Sequence, residues 1–421
     1  MNCIYDLKSY TSTTKYAFLL YFFSNIACAF YFIFDGYIGG DFSGYDIPVN
    51  YEWMALAFLI TTLTFFFYLF LMHAFFKRIK IKKIPSYDGA MLDVLSTLII
   101  SFGLYSVIVH GVGRIGVEED YSNVTAIYRR FTSILQPSLF GLIYFFYRSD
   151  FKRFLVVFNL LLYLVLIISS GQTGQLLLLF FLCIYIDKKS PKYGGLRAFI
   201  PFLIFCFGLL FYPFIRLLKE AVIQSVLLQV DTFDLYESYI ISDDFADIYI
   251  KYFFITLERF QIVANIQYLL ENRDDIYNHY NVTNSGIHSF FLGHWLTVFF
   301  AKSLGIVFSS DMVSPQNFLA LQINGSDSWA SHIGVFGFFV FYGFNGFIII
   351  IFSVLCVLLS SFLSNSISSD KRISLLTFLM ILQLLCHGWV LPFFNYLQSL
   401  FVFAFILIFL DMFKYIKREF L

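Results

Sequence analysis

The stretch FLVVFNLLLYLVLIISSGQTGQLLLLFFLCIYI, residues 154–186, contains two apolar runs separated by a short polar insert. A membrane helix needs about 20 mainly apolar residues, because each residue adds about 1.5 Å along its axis. The insert at 169–175 is rich in Ser, Gly and Gln, which is typical of a tight turn. The stretch therefore predicts two helices in a lipid bilayer rather than one long helix.

The composition extends this conclusion to the whole chain. Of its 421 residues, 59% are hydrophobic, 22% are aromatic and 13% are charged. Soluble domains carry roughly 25% charged residues, so this chain has too few charges to cover a water-exposed surface. The sequence predicts an all-α, polytopic integral membrane protein and argues against an ordinary soluble enzyme.

Ten apolar runs are predicted to span the membrane. They cover residues 16–34, 53–76, 91–110, 131–147, 154–169, 174–186, 198–215, 334–363, 373–391 and 393–413. A rival interpretation counts 248–270 and 290–308 as two further spans, which would give twelve. We prefer ten, because Lys251, Glu258 and Arg259 would be costly in lipid.

The basic residues predict how these spans are oriented. One set of alternate loops holds 19 of the 28 Lys and Arg residues, and the other, much longer set holds 9. Cytoplasmic loops retain positive charge during insertion, so both termini are expected in the cytoplasm. The chain then divides into an N-terminal membrane bundle (1–215), a large external loop with amphipathic helices (216–333) and a C-terminal bundle (334–421).

The candidate chemical groups lie in this external loop. Arg216 directly follows the seventh run, and Arg259 lies beside Glu258 in a stretch with helical spacing of apolar residues. A guanidinium group presents a rigid fork of donors and stays protonated, which suits a diphosphate. His332 and Glu258 are candidate general bases. Each of these residues also has a plainer interpretation. Arg216 would reach lipid headgroups, Glu258 and Arg259 would lie on a solvated surface helix, and His332 would be structural.

Other classes of function lack their sequence signals. The chain has no P-loop or dinucleotide-binding motif, which argues against ATP-driven pumping by this chain. The histidines of the external loop lack the i, i+4 spacing of a helical zinc site, so neither a metal nor a cofactor is predicted. The net charge is zero, and nucleic acid is not expected as a partner.

Three short motifs accompany the predicted architecture. Residues 170–174 read Ser-Gly-Gln-Thr-Gly, Arg259 is followed by Phe-Gln-Ile-Val, and His332 precedes Gly343 and Gly346 by 11 and 14 residues. With ten or more spans and one large external loop in the second half, the chain resembles bacterial O-antigen polymerases of the Wzy type and the related O-antigen ligases.

The chain also departs from the pattern of that family. The family's turn reads Ser-Gly-Ser-Arg-Gly, whereas Gln172 and Thr173 replace its Ser and Arg here. Many relatives carry an acidic residue shortly before the first Gly of the Gly-x-x-Gly motif, where this chain has Phe341 and Tyr342. A phosphate role for the turn and a carboxylate role before Gly343 are therefore not expected.

The resemblance implies a GT-C-like architecture and a metal-independent glycosyltransferase of lipopolysaccharide biosynthesis. Such an enzyme polymerises undecaprenyl-diphosphate-linked oligosaccharide repeat units into O-antigen, or a related surface polysaccharide, at the periplasmic face of the bacterial inner membrane. Arg216 and Arg259 would bind the diphosphate, and His332 or Glu258 would take the acceptor proton. The implied partners are membrane lipids, a chain-length regulator and a flippase.

Three rival functions remain open at this point. An O-antigen ligase shares the architecture and the Arg and His residues. A polysaccharide flippase or other transporter would distribute its spans evenly and line a central cavity with cations. A lipid-sugar mannosyltransferase usually has acidic motifs in the first external loop, where Asp35, Asp41 and Asp46 lie here without adjacent pairing.

Overall fold

The computed structural model of the chain is helical almost throughout the part it describes. The described residues are 2–43, 45–78, 83–87, 89–114, 123–148, 153–172, 174–189, 200–242, 245–283, 286–304, 313–325, 330–368 and 370–420. Within them, the only β pairing is an isolated bridge between Tyr37 and Pro48. This confirms the all-α fold class.

Five helices of the described chain are long and apolar enough to cross a membrane. They are Ser9–Asp35, Tyr51–Met72, Ala90–His110, Gly334–Ile367 and Val390–Phe413. Three shorter apolar helices cover Phe154–Ser169, Gly174–Ile186 and Arg372–Leu385. The chain is therefore that of an α-helical membrane protein, and the total of ten spans stays a prediction.

The first half of the chain forms eight α-helices within the described residues. They are α1 (Asn2–Asp35), α2 (Tyr51–Arg78), α3 (Ala90–His110), α4 (Asn123–Leu135), α5 (Pro137–Arg148), α6 (Phe154–Ser169), α7 (Gly174–Lys189) and α8 (Ile200–Leu228). Helices α6 and α7 flank the turn that the sequence predicted, since the backbone reverses at Gly171 with φ +76°.

The second half contributes eleven more helices in its described part. They are α9 (Thr232–Ile241), α10 (Phe245–Glu258), α11 (Val263–Glu271), α12 (Arg273–Thr283), α13 (His288–Leu292), α14 (Trp295–Ser303), α15 (Pro315–Asn324), α16 (Gly334–Tyr342), α17 (Gly346–Ile367), α18 (Arg372–Met380) and α19 (Val390–Phe420). A 3₁₀ turn at Gly343–Asn345 joins α16 to α17, and a π-helical turn at Ile381–Leu385 ends α18.

One predicted span, and both runs that the rival interpretation counted as spans, are interrupted helices in the structure. The predicted span 131–147 is divided between α4 and α5, because Pro137 starts α5 and Gln136 before it adopts φ +46°. The run 248–270 is divided between α10 and α11 by the turn 259–262, and 290–304 is divided between α13 and α14. Residues 305–308 lie outside the described part.

Helix α8 differs from the prediction in its length. It continues through Pro213 to Leu228, so Arg216 lies inside a helix and not directly after one. The residues that follow Arg216, which the sequence analysis placed in a large loop with amphipathic helices, are the end of α8 as far as Leu228. Segment 216–333 is therefore helical over most of its described residues and not an extended loop.

The helices of the three predicted parts of the chain pack against one another. Helix α2 contacts both α11 and α17, α12 contacts α16, and α19 contacts α5 and α17. Near the start of α3, Asp93 accepts two hydrogen bonds from the Arg148 guanidinium at 2.7 and 2.9 Å, and both side chains are almost fully buried. This ion pair joins α3 to the end of α5.

Two glycines allow the start of α16 to contact the turn before α19. Gly388 has φ +82°, and a Cβ added to it would lie 2.6 Å from the Gly334 carbonyl oxygen. Gly334 has φ +58°, and its N–H donates to the His387 carbonyl at 3.2 Å. Only Gly adopts such conformations without strain and leaves room for so close an approach.

Candidate functional site

One large cavity brings together residues that are distant in the sequence. Its volume is about 740 Å³, which is within the usual range for small-molecule sites. Three of the four predicted site residues, Arg216, Arg259 and His332, line this cavity together with residues of the turn 171–175. The fourth, Glu258, lies beside Arg259 but is not among the residues of the wall. We call this space the central cavity.

Three cations meet on one part of its wall. Arg216 and Lys219 lie three residues apart on α8, where side chains are neighbours on the helix surface, and Arg259 follows the end of α10. Burial, reinforced by the positive charges of Arg216 and Arg259, lowers the pKa of Lys219 to about 8. We call these three residues the cationic cluster. Like charges held this close favour the binding of an anion, which would relieve their repulsion.

The rest of the wall is largely apolar. It includes Leu177, Phe180, Ile215, Met380 and Leu384, from α7, α8 and the segment that ends α18. Apolar side chains beside a group of cations suit a ligand that has an anionic head and a hydrocarbon part. The central cavity therefore has the chemistry expected of a site for an anionic lipid.

The turn that carries Arg259 is stabilised by a buried Asn of α1. The Asn25 amide donates from Nδ2 to the Phe260 carbonyl at 3.1 Å and accepts at Oδ1 from the Ile262 N–H at 2.9 Å. Two backbone groups that the break between α10 and α11 leaves without helical partners are thereby satisfied. Asn25 is only 2% exposed. The position of Arg259 consequently depends on a helix from the other end of the chain.

Arg259 is also paired with a buried carboxylate. Its Nη1 lies 3.5 Å from Asp41 Oδ1, while Asp41 Oδ2 accepts hydrogen bonds from Ser331 Oγ at 2.7 Å and Asn265 Nδ2 at 3.0 Å. Burial acts to raise the pKa of the Asp41 carboxyl, but His332, Arg259 and these two hydrogen bonds outweigh it and hold the pKa below its usual value. Asp41 is therefore an ionised anchor that fixes Arg259 next to the central cavity.

His332 has a defined tautomer. The indole N–H of Trp389, which can only donate, lies 2.7 Å from His332 Nδ1, so Nδ1 is the acceptor and Nε2 carries the proton of the neutral ring. Burial is the main cause that lowers the pKa of His332 to about 4, which keeps the ring neutral near pH 7. In this state Nε2 is the ring nitrogen that can donate a hydrogen bond. The predicted role as general base requires the Trp389 bond to break.

Glu258 faces the loop between α1 and α2. Its Oε2 accepts from the Gly40 N–H at 3.0 Å. It also borders a space of about 20 Å³ together with Asp41, Arg259 and His332, which is room for about one water molecule. Burial is the main cause that raises the pKa of Glu258 above its ordinary value. The pKa of an effective general base lies near the working pH, and a raised pKa brings Glu258 closer to that condition at neutral pH.

The sequence analysis missed three residues of this site. Lys219 was discoverable, because its i, i+3 spacing from Arg216 places both on one helix face. Asn25 stood out only as an amide inside an apolar run, and Asp41 only as one of several acids in the first external loop. Their partners in the structure come from the second half of the chain, which no local pattern indicates.

The chain matches no protein-family model, no curated protein and no solved structure. The functional conclusion therefore rests on the geometry of the central cavity and on the resemblance in sequence.

Proposed function

We propose that this protein is a glycosyltransferase that polymerises undecaprenyl-diphosphate-linked oligosaccharide repeat units into O-antigen or a related surface polysaccharide. The observation that carries this proposal is the cationic cluster on the wall of an otherwise largely apolar cavity. A polyprenyl diphosphate matches both features, since it joins a strongly anionic head to a long hydrocarbon chain. The membrane helices around the cavity supply the lipid environment in which such a substrate is carried.

The proposed topology has the cavity open on the periplasmic side of the bacterial inner membrane. It includes about ten spans and a GT-C-like arrangement, with both termini in the cytoplasm, as the basic residues of the loops predict. In this arrangement the residues from Arg216 to His332 lie on the side where lipid-linked repeat units are joined. A flippase and a chain-length regulator of the same pathway are the proposed partners.

The chemistry would be a displacement at the anomeric carbon of the growing chain. The bond from that carbon to the diphosphate oxygen breaks, and the diphosphate departs with the electron pair. The hydroxyl oxygen of the acceptor sugar forms the new bond to the same carbon and loses its proton to a base. The cationic cluster would stabilise the negative charge that develops on the departing diphosphate.

Glu258 is the better supported of the two proposed bases. The space of about 20 Å³ that it shares with Arg259 and His332 would allow proton transfer through one water molecule. His332 would instead donate from Nε2 to an oxygen of the diphosphate, because Trp389 already donates to its Nδ1. Both residues then act next to the cationic cluster: Glu258 keeps the role of base that the sequence suggests, and His332 takes the role of a hydrogen-bond donor instead.

The test is complementation of a strain in which this gene is deleted. The wild-type gene is expected to restore the ladder of O-antigen bands in surface lipopolysaccharide, and Arg259→Ala is expected to abolish it. Arg259→Lys should restore it only weakly, because Lys retains the charge but loses the planar fork of donors. Arg273→Ala is the matched control, since Arg273 is a largely exposed Arg of α12 paired with neighbouring Asp274.

The pattern of bands separates the rival functions. If the lipid core carries a single repeat unit in the deletion strain, and also in that strain when it expresses Arg259→Ala, the wild-type protein is a polymerase. Loss of every repeat unit indicates a ligase or a flippase and overturns the proposal. A full ladder from a well-expressed Arg259→Ala protein would remove Arg259 from the proposed mechanism, and a ladder unaffected by deletion would overturn the function itself.

A further inference from the structure

The start of α19 presents an amide side chain to the central cavity. Asn395 lies in the first turns of this helix and lines the cavity. Its Oδ1 lies 2.8 Å from Nε2 of His294, which is located between α13 and α14 and is only 2% exposed. The amide is therefore held by a buried side chain, and it comes from a different part of the chain than the cationic cluster.

The hydrogen bonds of His294 determine which way the Asn395 amide points. The Leu296 N–H, which can only donate, lies 3.2 Å from His294 Nδ1, so Nδ1 is the acceptor and Nε2 carries the proton of the neutral ring. Burial outweighs the bond to Asn395 and lowers the pKa of His294, which keeps the ring neutral near pH 7. His294 therefore donates to the Asn395 oxygen. The two N–H donors of Asn395 Nδ2 bond to no other group in the described part of the chain.

The next amide on α19 is used differently. Gln398 lies three residues after Asn395, and it is not among the residues that line the cavity. Its Oε1 accepts from the Trp295 indole N–H at 3.0 Å. Its Nε2 donates to the carbonyls of Ser133 and Ile134 at 2.7 and 2.8 Å. Gln398 therefore uses both its oxygen and its nitrogen within the protein, whereas Asn395 uses only its oxygen and has donors for a ligand.

The turn between α6 and α7 supplies a second amide of this kind. Gln172 also lines the central cavity, and its Oε1 accepts from Gln175 Nε2 at 2.7 Å. The Gln175 oxygen accepts in turn from the buried Tyr163 hydroxyl. Gln172 Nε2 forms no hydrogen bond with the residues that the structure describes. Two amides from distant parts of the chain thus have their oxygens occupied and their donors available.

We propose that Asn395 Nδ2 and Gln172 Nε2 donate hydrogen bonds to uncharged oxygen atoms of the sugar whose diphosphate binds the cationic cluster. This inference rests on the proposed function. The anionic diphosphate is matched by the three cations of the cluster, whereas uncharged amides suit hydroxyl or acetamido oxygens and orient a ligand in its pocket. His294 is then a positioning residue, because it acts on the sugar through Asn395.

The test compares the binding of two lipids by the full-length protein in detergent. One is undecaprenyl diphosphate, and the other is undecaprenyl diphosphate that carries one oligosaccharide repeat unit. Asn395→Leu and Gln172→Leu each remove the donors at nearly constant volume. Each is expected to weaken binding of the glycosylated lipid roughly 5- to 10-fold, as for one hydrogen bond, and to change binding of the bare lipid by less than about twofold.

Two substitutions of His294 test its positioning role. His294→Leu removes the donor that orients the Asn395 amide, and it should weaken the glycosylated lipid more than the bare lipid. His294→Gln keeps a side-chain N–H for the Asn395 oxygen, and it should recover most of the lost affinity. A purely structural role for His294 would instead weaken both lipids alike. This pair decides the case if Asn395→Leu does not fold.

Gln398→Leu is the matched control, since it removes an amide of the same helix that does not line the cavity. It should leave the ratio of the two affinities unchanged. Equal losses for both lipids in Asn395→Leu and Gln172→Leu, or no loss for either lipid, would overturn the assignment of the two donors to the sugar. Wild-type protein that binds neither lipid would overturn the proposed function, and with it this inference.

Discussion

Replacing Asn25 by Leu is expected to destabilise the turn that carries Arg259. The substitution nearly preserves side-chain volume but removes the donor to the Phe260 carbonyl at 3.1 Å and the acceptor for the Ile262 N–H at 2.9 Å. An unsatisfied buried polar group costs about 1–3 kcal/mol. Two such groups give a loss of roughly 2–6 kcal/mol in the free energy of unfolding, reduced slightly by the apolar surface that Leu buries.

Unfolding in mixed micelles, followed by tryptophan fluorescence, would measure this loss. The matched control is Ser24→Ala, because among the described residues the Ser24 hydroxyl bonds only to the Leu20 carbonyl of its own helix, at 2.7 Å. Such a bond contributes little to stability, so the control should change the free energy by less than about 1 kcal/mol. If Asn25→Leu and Ser24→Ala were equally stable, the idea that α1 fixes the 259–262 turn would be refuted.

The remaining predictions concern a buried ion pair and the pH dependence of the reaction. Asp93→Asn should lower the free energy of unfolding by roughly 3–5 kcal/mol, because it leaves the Arg148 charge buried without its partner. The Asp93→Leu, Arg148→Met double variant should regain much of this loss in the same unfolding assay. If the effects of substituting Asp93 and Arg148 simply added up in the double variant, this prediction would be contradicted. Polymer formation should fall as the pH decreases through the raised pKa of Glu258, since a base must be ionised. Glu258→Gln should lose this pH dependence along with most activity. His332→Gln should retain the pH dependence, because His332, with a pKa of about 4, is already neutral in this range. The same pH profile in the wild type and in both variants would exclude Glu258 as the base.

The sequence was sufficient for features that depend on local pattern. Helices α6 and α7 and the turn between them follow directly from two apolar runs and a Gly-rich insert. The start of α5 was missed although Pro137 signals it, because the surrounding run is apolar enough to be read as a single span. Apolar periodicity reports whether a segment is buried, and it is a weaker guide to where a buried helix is interrupted.

The site was predictable only in part. Arg216, Arg259 and His332 were chosen for their chemistry, and the structure brings all three to one cavity. The turn at 259–262 was not predicted. The side chain that hydrogen-bonds to its backbone is Asn25, which lies 235 positions before Phe260. The pairing of Asp41 with Arg259 is equally distant in sequence. Such contacts depend on how the helices are assembled, which composition and spacing do not specify.

The contact between Gly334 and Gly388 restricts how this sequence can diverge. An Ala at position 388 would place its Cβ 2.6 Å from the Gly334 carbonyl oxygen, and the positive φ angles at both positions add strain for any other residue. Lipid-facing positions can exchange Phe, Leu and Ile freely over evolutionary time, whereas these two glycines have to be inherited together. In homologous chains of low overall identity, a paired Gly at the equivalents of 334 and 388 would therefore mark common descent better than any apolar run.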